Sequence, residues 1–428
     1  MSSPPPPSST TPVRRLALEA LGEWEDGSRH AADILEDISR ARRLGPLDHA
    51  FLQQLLYGVL RHLTRLDGLI DELRSGRVTR ETRNVLRLGF FQIFHSHIPA
   101  YAAVGETVAL ARNGRGFVNA LLRRADRERG ALEAMMDAWP VSIAQSHPQF
   151  LVDRWTSAWG EEAALAQCRW DNEPAPVYAR INPLAPEAAR AQVLAAYESH
   201  KVPGAPGFFQ IEGPIPHEWL DSGAIYIQDP STTLACRMLD AQPGERVLDA
   251  CAAPGGKTSL LAASLGTGTT LVACDRPGGR LRRLRQNLER LHAGDVHIAE
   301  TDWLAPGPPA WLGDLRWGGG FHAILADVPC SNTGVMRRRV DVRWRIDERE
   351  FTRLHHLQID LVERLLPLLR HGGRLIYSTC SIDAEENEAV VAELCRRHPG
   401  LRLDHSEAEL PWRDGFDGAY AARLIRDA

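Results

Sequence analysis

Between residue 13 and about residue 140, apolar side chains recur every three or four positions and no stretch alternates strictly between apolar and polar. In HAFLQQLLYGVLRHLTRLDGLIDEL the set Phe51, Leu55, Leu56, Val59, Leu63, Leu66 and Ile70 shares one helical face, as expected of a helix laid against a bundle core. VLRLGFFQIFHSHIPAYAAV predicts a second helix, stopped by Pro99, and GFVNALLRRADRE a third. An all-helical domain over residues 13–140 follows. Ahead of it, MSSPPPPSSTTP has no basic stretch leading into an apolar one, so residues 1–12 read as a disordered tail and not as a signal peptide.

The texture changes over 141–235. Strand candidates Val177–Ile181 and Ala224–Gln228 flank the helical APEAARAQVLAAYESH and a Pro/Gly-rich region, which predicts a small α+β subdomain. From about 242 strand and helix alternate: RVLDACAAPGGKTSLLAASL, TLVACDRPGGRLRRLRQNLERL, VHIAETD, FHAILADVPC, a helix over 351–370, RLIYSTC, a helix over 383–397, then LRLDH and AYAARLIRD. Residues 236–428 are therefore expected to form a doubly wound α/β domain, whose ligands bind beyond the carboxyl ends of its strands. That rule singles out Asp249, Asp275, Asp302, Asp327 and Cys380.

Composition narrows the classes. With 428 residues the chain has material for several cores, and 25% charged residues is ordinary for globular proteins. No run approaches the ~18 apolar residues of a membrane span, so the reading is cytoplasmic, with no membrane partner. The seven cysteines form no C-x-x-C pair, which argues against a zinc site or a disulfide framework and predicts no metal. A net charge of −5 gives no global attraction to nucleic acid, but RPGGRLRRLRQNLERLH at 276–292 and MRRRVDVRWR at 336–345 are locally basic.

CAAPGGKTSL at 251–260 is one residue short of a Walker A loop, with Cys251 where the first glycine belongs. Gly255 and Gly256 lie between strand and helix, where backbone N–H groups meet an anionic ligand. Asp275 closes the next strand 20 residues after Gly255, the place of a ribose-binding acid. A ribose-bearing ligand without a triphosphate fits best; an NTPase with AILAD at 323–327 as its acidic strand is the alternative. Cys330 in DVPCSNTG and Cys380 in STCS stand at the same sheet edge. Carbon 5 of a pyrimidine becomes nucleophilic when a thiolate adds to carbon 6. An acid beside the ring nitrogen would stabilise the charge that develops, and Asp327 is placed for that.

At these residues the chain resembles a known family. LDACAAPGGKT, ADVPCSNTG, YSTCSIDAEENEAVV and DGFDGAYAARL are similar to the RNA cytosine-5 methyltransferases that use S-adenosylmethionine. LGPLDHAFLQQLLYGVLRHLTRLDGLID, RNVLRLGFFQIFHSHIPAYAAVGETVALAR and GFVNALLRR resemble the NusB-like helical domain fused to that catalytic domain in the RsmB-type 16S rRNA methyltransferases. The resemblance implies a NusB-like RNA-binding bundle, a small RNA-contacting α+β subdomain, and a Rossmann-like S-adenosylmethionine-dependent domain. It implies Cys380 as nucleophile, Cys330 as the residue that helps release product, and Asp327 facing the base. Cys251, Ala252, Ala253, Pro254, Gly255, Gly256 and Lys257, with Asp275, Asp302 and Asp327, would hold the methyl donor. RIN at 180–182 and QDPST at 228–232 would match the RNA-contacting subdomain, with Arg180 as a contact. The implied partner is 16S rRNA before full subunit assembly, met by a monomer, and the family's target is the cytosine conventionally numbered 967.

Two positions depart from the family pattern. The usual Asp-Ala-Pro-Cys is Asp327-Val328-Pro329-Cys330, and the usual Arg-Arg-His-Pro-Asp is RRRVD at 337–341, which bears on the target and not on the chemistry. Arg337, Arg338, Arg339, Arg343 and Arg345 face one Asp341 in this stretch and are expected to contact RNA phosphates. Arg276–Arg290, interleaved with Glu289, reads as a solvated surface helix. The other functional class left open is a helical RNA-binding or assembly factor with a degenerate or ATP-switched α/β domain.

Overall fold

The computed structural model describes residues 11–74, 76–265, 269–314 and 320–427. The tail expected at 1–12 lies outside these residues except for Thr11 and Pro12, which open the first helix. The chain divides into two compact units, one of residues 1–173 with 336–345 and one of 174–335 with 346–428.

The first unit is helical: α1 Thr11–Glu25, α2 Ala31–Arg42, α3 Pro46–Arg61, α4 Leu63–Leu73, α5 Arg80–His95, α6 Ala100–Leu110, α7 Arg115–Arg127, α8 Arg129–Asp137, α9 Val141–Ala144, α10 Gln149–Trp159 and α11 Glu161–Asn172. Leu55, Leu56, Val59, Leu66 and Ile70 are fully buried in its core, as their spacing predicts. The single long helix expected there is two, α3 and α4. The break at His62 turns its ring onto that of His95, with centroids 3.8 Å apart. The change of texture near residue 141 is not where this unit ends, because α9 packs on α4. Just beyond α9, Ser146 Oγ accepts from Thr64 N at 2.8 Å and Arg65 N at 3.2 Å.

The second unit carries both sheets. The small antiparallel sheet has the order β2-β1-β3, with β1 Val177–Ile181, β2 Phe208–Ile211 and β3 Ile225–Ile227, and α12 Glu187–Ala196 lies between β1 and β2. The sequence pattern does not predict β2, since FFQI is four residues embedded among turn formers. The large sheet has the order β6-β5-β4-β7-β8-β10-β9. Its strands are β4 Arg246–Asp249, β5 Thr270–Asp275, β6 Val296–Glu300, β7 Phe321–Asp327, β8 Leu369–Thr379, β9 Leu401–Glu409 and β10 Ala419–Arg426. The first five run parallel, and β10 pairs antiparallel with β8 and β9. This is the Rossmann-like mixed sheet expected of the domain.

Three helices set the site. The helix α13 Gly256–Leu265 follows β4, α14 Gly279–Arg290 follows β5, and α15 Glu348–Leu365 precedes β8. Asp347 caps α15 by accepting from Arg349 N and Glu350 N. That helix ends five residues before the expected position 370, because β8 already begins at Leu369.

Candidate active site

The β4–α13 loop is shaped by glycine. Gly255 has φ +108°, a conformation L side chains rarely adopt, and a Cβ on Gly256 would meet Tyr226 Cε1 at 2.8 Å. The backbone of the loop is thus packed between α14 and the small sheet. Asp249, at the end of β4, is 1% exposed and accepts from Thr258 Oγ1 at 2.7 Å. Its Oδ1 is buried without a hydrogen bond among the described residues. Burial, reinforced by Asp327 and Asp275, pushes this carboxyl up to about 7. Cys251 packs against the core of the large sheet, and burial pushes its thiol well up. The position a Walker loop needs as glycine is therefore filled by a half-buried thiol packed on that core.

Asp275 closes β5 and is saturated. Its carboxylate accepts from Ala253 N at 2.9 Å, Arg276 N at 2.8 Å and Arg280 Nε at 2.9 Å. Among the described residues Arg280 is its one side-chain partner, and that side chain is exposed. Asp302 lies beyond β6, exposed, and accepts from Leu304 N at 3.1 Å. Asp327, at the end of β7, accepts from Lys257 Nζ at 2.7 Å and from Ser378 Oγ at 3.1 Å. Burial lowers the Lys257 ammonium but the Asp327 carboxylate outweighs it, and the net shift is upward.

The two thiols meet. Cys330 Sγ and Cys380 Sγ are 3.3 Å apart, and Cys380 Sγ also donates to Asn332 Oδ1 at 3.4 Å. The contact with Cys380 and burial push the Cys330 thiol well above its ordinary range. Cys380, Lys257, Ser378, Thr379, Ser231 and Thr232 line one cavity of about 40 Å³. Glycine loop, acid pair and thiols thus belong to one sheet edge.

The supporting groups are not legible in the sequence. Glu386 is fully buried and accepts from Ser331 N at 2.9 Å, from Ser331 Oγ, and from Gln358 Nε2 at 2.9 Å. It fixes the loop that carries Cys330. Gly334 N donates to Cys380 O at 3.0 Å, and Gly418 N donates to Gly334 O at 2.7 Å. Their signal is present in SNTG, DAEEN and DGFDG, but only as motif, with no spacing rule to give it a role.

The arginine assignments need correction. Arg343 is fully buried in the first unit, donating to Ser146 O at 3.2 Å, Asn172 Oδ1 at 2.8 Å and Asp171 O at 3.0 Å. Arg337 is 8% exposed and stacks 4.1 Å from the Trp170 ring. Arg345 donates to Asp341, Gly27 O and Arg29 O. These side chains hold 336–345 among the helices and are not presented to RNA. Arg338 is partly buried, and only Arg339 stands exposed. Arg180 is 3% exposed, donating to Gln228 Oε1 at 3.0 Å and Ser259 Oγ at 2.9 Å. Asn182 donates to Gly223 O and Leu291 O, both at 2.9 Å. The RIN stretch therefore docks the small sheet onto the α/β domain; Arg180 is buried there and not on an open surface, with its Nη1 unpartnered among the described residues.

A mixed seven-stranded sheet with a glycine turn after its first strand, an acid after the second and two thiols at the same edge defines a Rossmann-like methyltransferase. A family model described as 16S rRNA methyltransferase RsmB/F matches residues 236–425, the NusB family matches 11–127, and a ferredoxin-like domain of RsmF/B-like methyltransferases matches 147–209. "Ribosomal RNA small subunit methyltransferase B" of Pseudomonas putida is 34% identical over 89% of this chain and 91% of its own length. The protein of the same name from Cronobacter sakazakii is 30% identical over 97% and 98%. A solved methyltransferase homolog protein from Pyrococcus horikoshii aligns at 27% identity and a TM-score of 0.57, covering 68% of this chain and 99% of that one. The chain belongs to the RsmB/F family of 16S rRNA methyltransferases and is an S-adenosylmethionine-dependent rRNA methyltransferase.

Proposed function

We propose that the protein methylates carbon 5 of a cytosine in 16S rRNA, through a covalent adduct with Cys380. The contact of the two thiols beside the Lys257–Asp327 pair carries this reading, because methylation of an exocyclic amine needs no thiol. S-adenosylmethionine, when bound, supplies an electrophilic methyl group. The residues fit that donor: a glycine turn whose backbone stands close to its ligand, the unpartnered Oδ1 of Asp249 beneath it, and Asp275 with one exchangeable partner. Cys251 through Lys257, with Asp275, Asp302 and Asp327, would hold it.

The flipped-out base enters at the Cys380 side. The thiolate's lone pair forms an S–C6 bond as the C5=C6 π bond breaks and its pair moves to carbon 5, while the Lys257–Asp327 pair holds a proton at ring nitrogen 3. Carbon 5 takes the methyl group. Cys330 then removes the carbon-5 proton, and the S–C6 bond breaks with its electron pair returning to Cys380. Cys380 and not Cys330 lines the cavity, which favours it as nucleophile. The resemblance to the family extends this reading to 16S rRNA ahead of full subunit assembly, to the cytosine conventionally numbered 967, and to action as a monomer.

Cysteine variants test this together. Cys380→Ala should abolish turnover, and Cys330→Ala should leave a protein–RNA band on a denaturing gel; full turnover by the first, or no band with the second, contradicts the assignment. Bisulfite sequencing of 16S rRNA from cells with and without the gene reads the position directly.

A further inference from the structure

Helix α14 breaks two local rules at once. The segment 276–290 contains Arg276, Arg280, Arg282, Arg283, Arg285 and Arg290 against a single acid, Glu289. Arg280 and Arg282 sit in its first turn, which holds no acid, and cations there oppose the helix dipole. The pairs Arg280/Arg283 and Arg282/Arg285 stand three residues apart, where like charges repel. Arg276, Arg282, Arg283 and Arg285 are exposed, and their side chains make no hydrogen bond or ion pair among the described residues. Many exposed arginines elsewhere, such as Arg40, Arg124, Arg129, Arg353 and Arg396, pair with a carboxylate three or four residues away on their own helix; Arg15, Arg127, Arg169, Arg349 and Arg364 stand unpaired singly, and what sets this segment apart is that four such side chains lie within ten residues.

Local rules broken without internal compensation mark a site that meets something outside the chain. The buried face of the same helix says where. Leu284 and Leu288 lie against Gly255, where an added Cβ would meet Leu284 Cδ1 at 3.1 Å. Asn287 Nδ2 donates to Pro254 O at 2.8 Å, and Arg280 holds Asp275. The helix is thus a wall of the glycine loop, with the uncommitted guanidinium groups of Arg282, Arg283 and Arg285 on it and that of Arg276 in the turn that precedes it.

We propose that α14 is an RNA-phosphate track: Arg276, Arg282, Arg283 and Arg285 bind the backbone of the substrate strand beside the catalytic cleft. The inference rests on the RNA substrate of the proposed function. Guanidinium groups match phosphate oxygens in charge and in forked geometry, and no carboxylate of the helix except Glu289 competes. The stripe takes over the role that the sequence suggested for the arginines of 336–345.

The test is the triple variant Arg282→Gln/Arg283→Gln/Arg285→Gln, which keeps helix formers and leaves Arg280 in place. Binding to transcribed 16S rRNA is measured across salt concentrations. Three lost phosphate contacts should flatten the slope of log K against log salt by about 2–3 and raise KM for RNA at least tenfold. The kcat at saturating RNA and the melting shift given by S-adenosylhomocysteine should stay as in wild type. An unchanged slope and KM in a variant that melts like wild type overturns the proposal. So does an unchanged RNA slope with lost binding to phosphatidylserine vesicles, which would assign the stripe to a lipid surface. If the wild type shows the arginine-dependent slope but makes no 5-methylcytosine, the track stands and the proposed chemistry falls.

Discussion

Arg343→Met separates a structural arginine from an RNA contact. The guanidinium has no exposure and donates to two backbone carbonyls and to Asn172. Methionine fills much of the volume but leaves those acceptors buried and unpaired, at about 1–3 kcal/mol each. Since partners relax and removing one member of a buried charged cluster costs about 3–5 kcal/mol, we expect a loss in that range. With a urea dependence of roughly 2–3 kcal/mol per molar for a unit of this size, the midpoint of the helical unit should fall by on the order of 1–2 M, read by far-ultraviolet circular dichroism. Arg343→Lys should not rescue it, because an ammonium cannot span acceptors set around a planar fork. RNA binding at low urea should keep the wild-type salt slope. A midpoint within about 0.2 M of wild type, together with a slope shallower by about one, would refute the reasoning and restore Arg343 to the RNA interface.

Two further substitutions probe the cleft. The Asp249 carboxyl, raised by burial to about 7 from roughly 3.9 in the unfolded chain, favours folding fully below pH ~4 and loses that contribution as pH rises through the folded value. Asp249→Asn keeps the acceptor for Thr258 without the charge. It should therefore gain on wild type with rising pH, by up to about 4 kcal/mol above pH ~8; a difference in Tm that stays flat across this window would exclude the mechanism. Gly334→Ala places a Cβ 2.7 Å from both Cys380 O and Gly418 Cα, backbone atoms that cannot move aside. We expect a stability loss of about 1–3 kcal/mol and a lower kcat with unchanged S-adenosylhomocysteine binding; wild-type kcat in this variant would show the junction to be irrelevant to Cys380.

The α/β half is readable because its physics is local. A strand buried on both faces is a continuous apolar run, as in FHAILAD, and the residue that ends it is fixed by the next turn. Asp249, Asp275, Asp327 and Cys380 are found in this way, without knowledge of packing. Contacts between distant segments leave no such trace. Nothing in FFQI announces a strand, because its partner Val177–Ile181 lies some thirty residues earlier and supplies the pairing. The compact helical unit runs on past the change in composition at 141 for the same reason, because Ser146 closes onto Thr64 and Arg65 across 82 and 81 residues.

Arginine shows most clearly what a linear pattern leaves out. Residues 337–345 and 276–290 have nearly the same basic texture, and the sequence assigns RNA to the first and solvent to the second. Charge density cannot decide, because a guanidinium is satisfied as well by carbonyl oxygens as by phosphate. What decides is the supply of acceptors once the chain has folded. Around Arg343 the ends of α9 and α11 bring Ser146 O, Asp171 O and Asn172 Oδ1 to one point, so its donors are used inside the protein. Around Arg282, Arg283 and Arg285 the helix offers leucine toward the core and only Glu289 at helical spacing, so those donors are left for a partner that brings its own acceptors. In an rRNA methyltransferase that partner is the phosphate backbone, and of the two basic segments the one with unused donors is the one to mutate first.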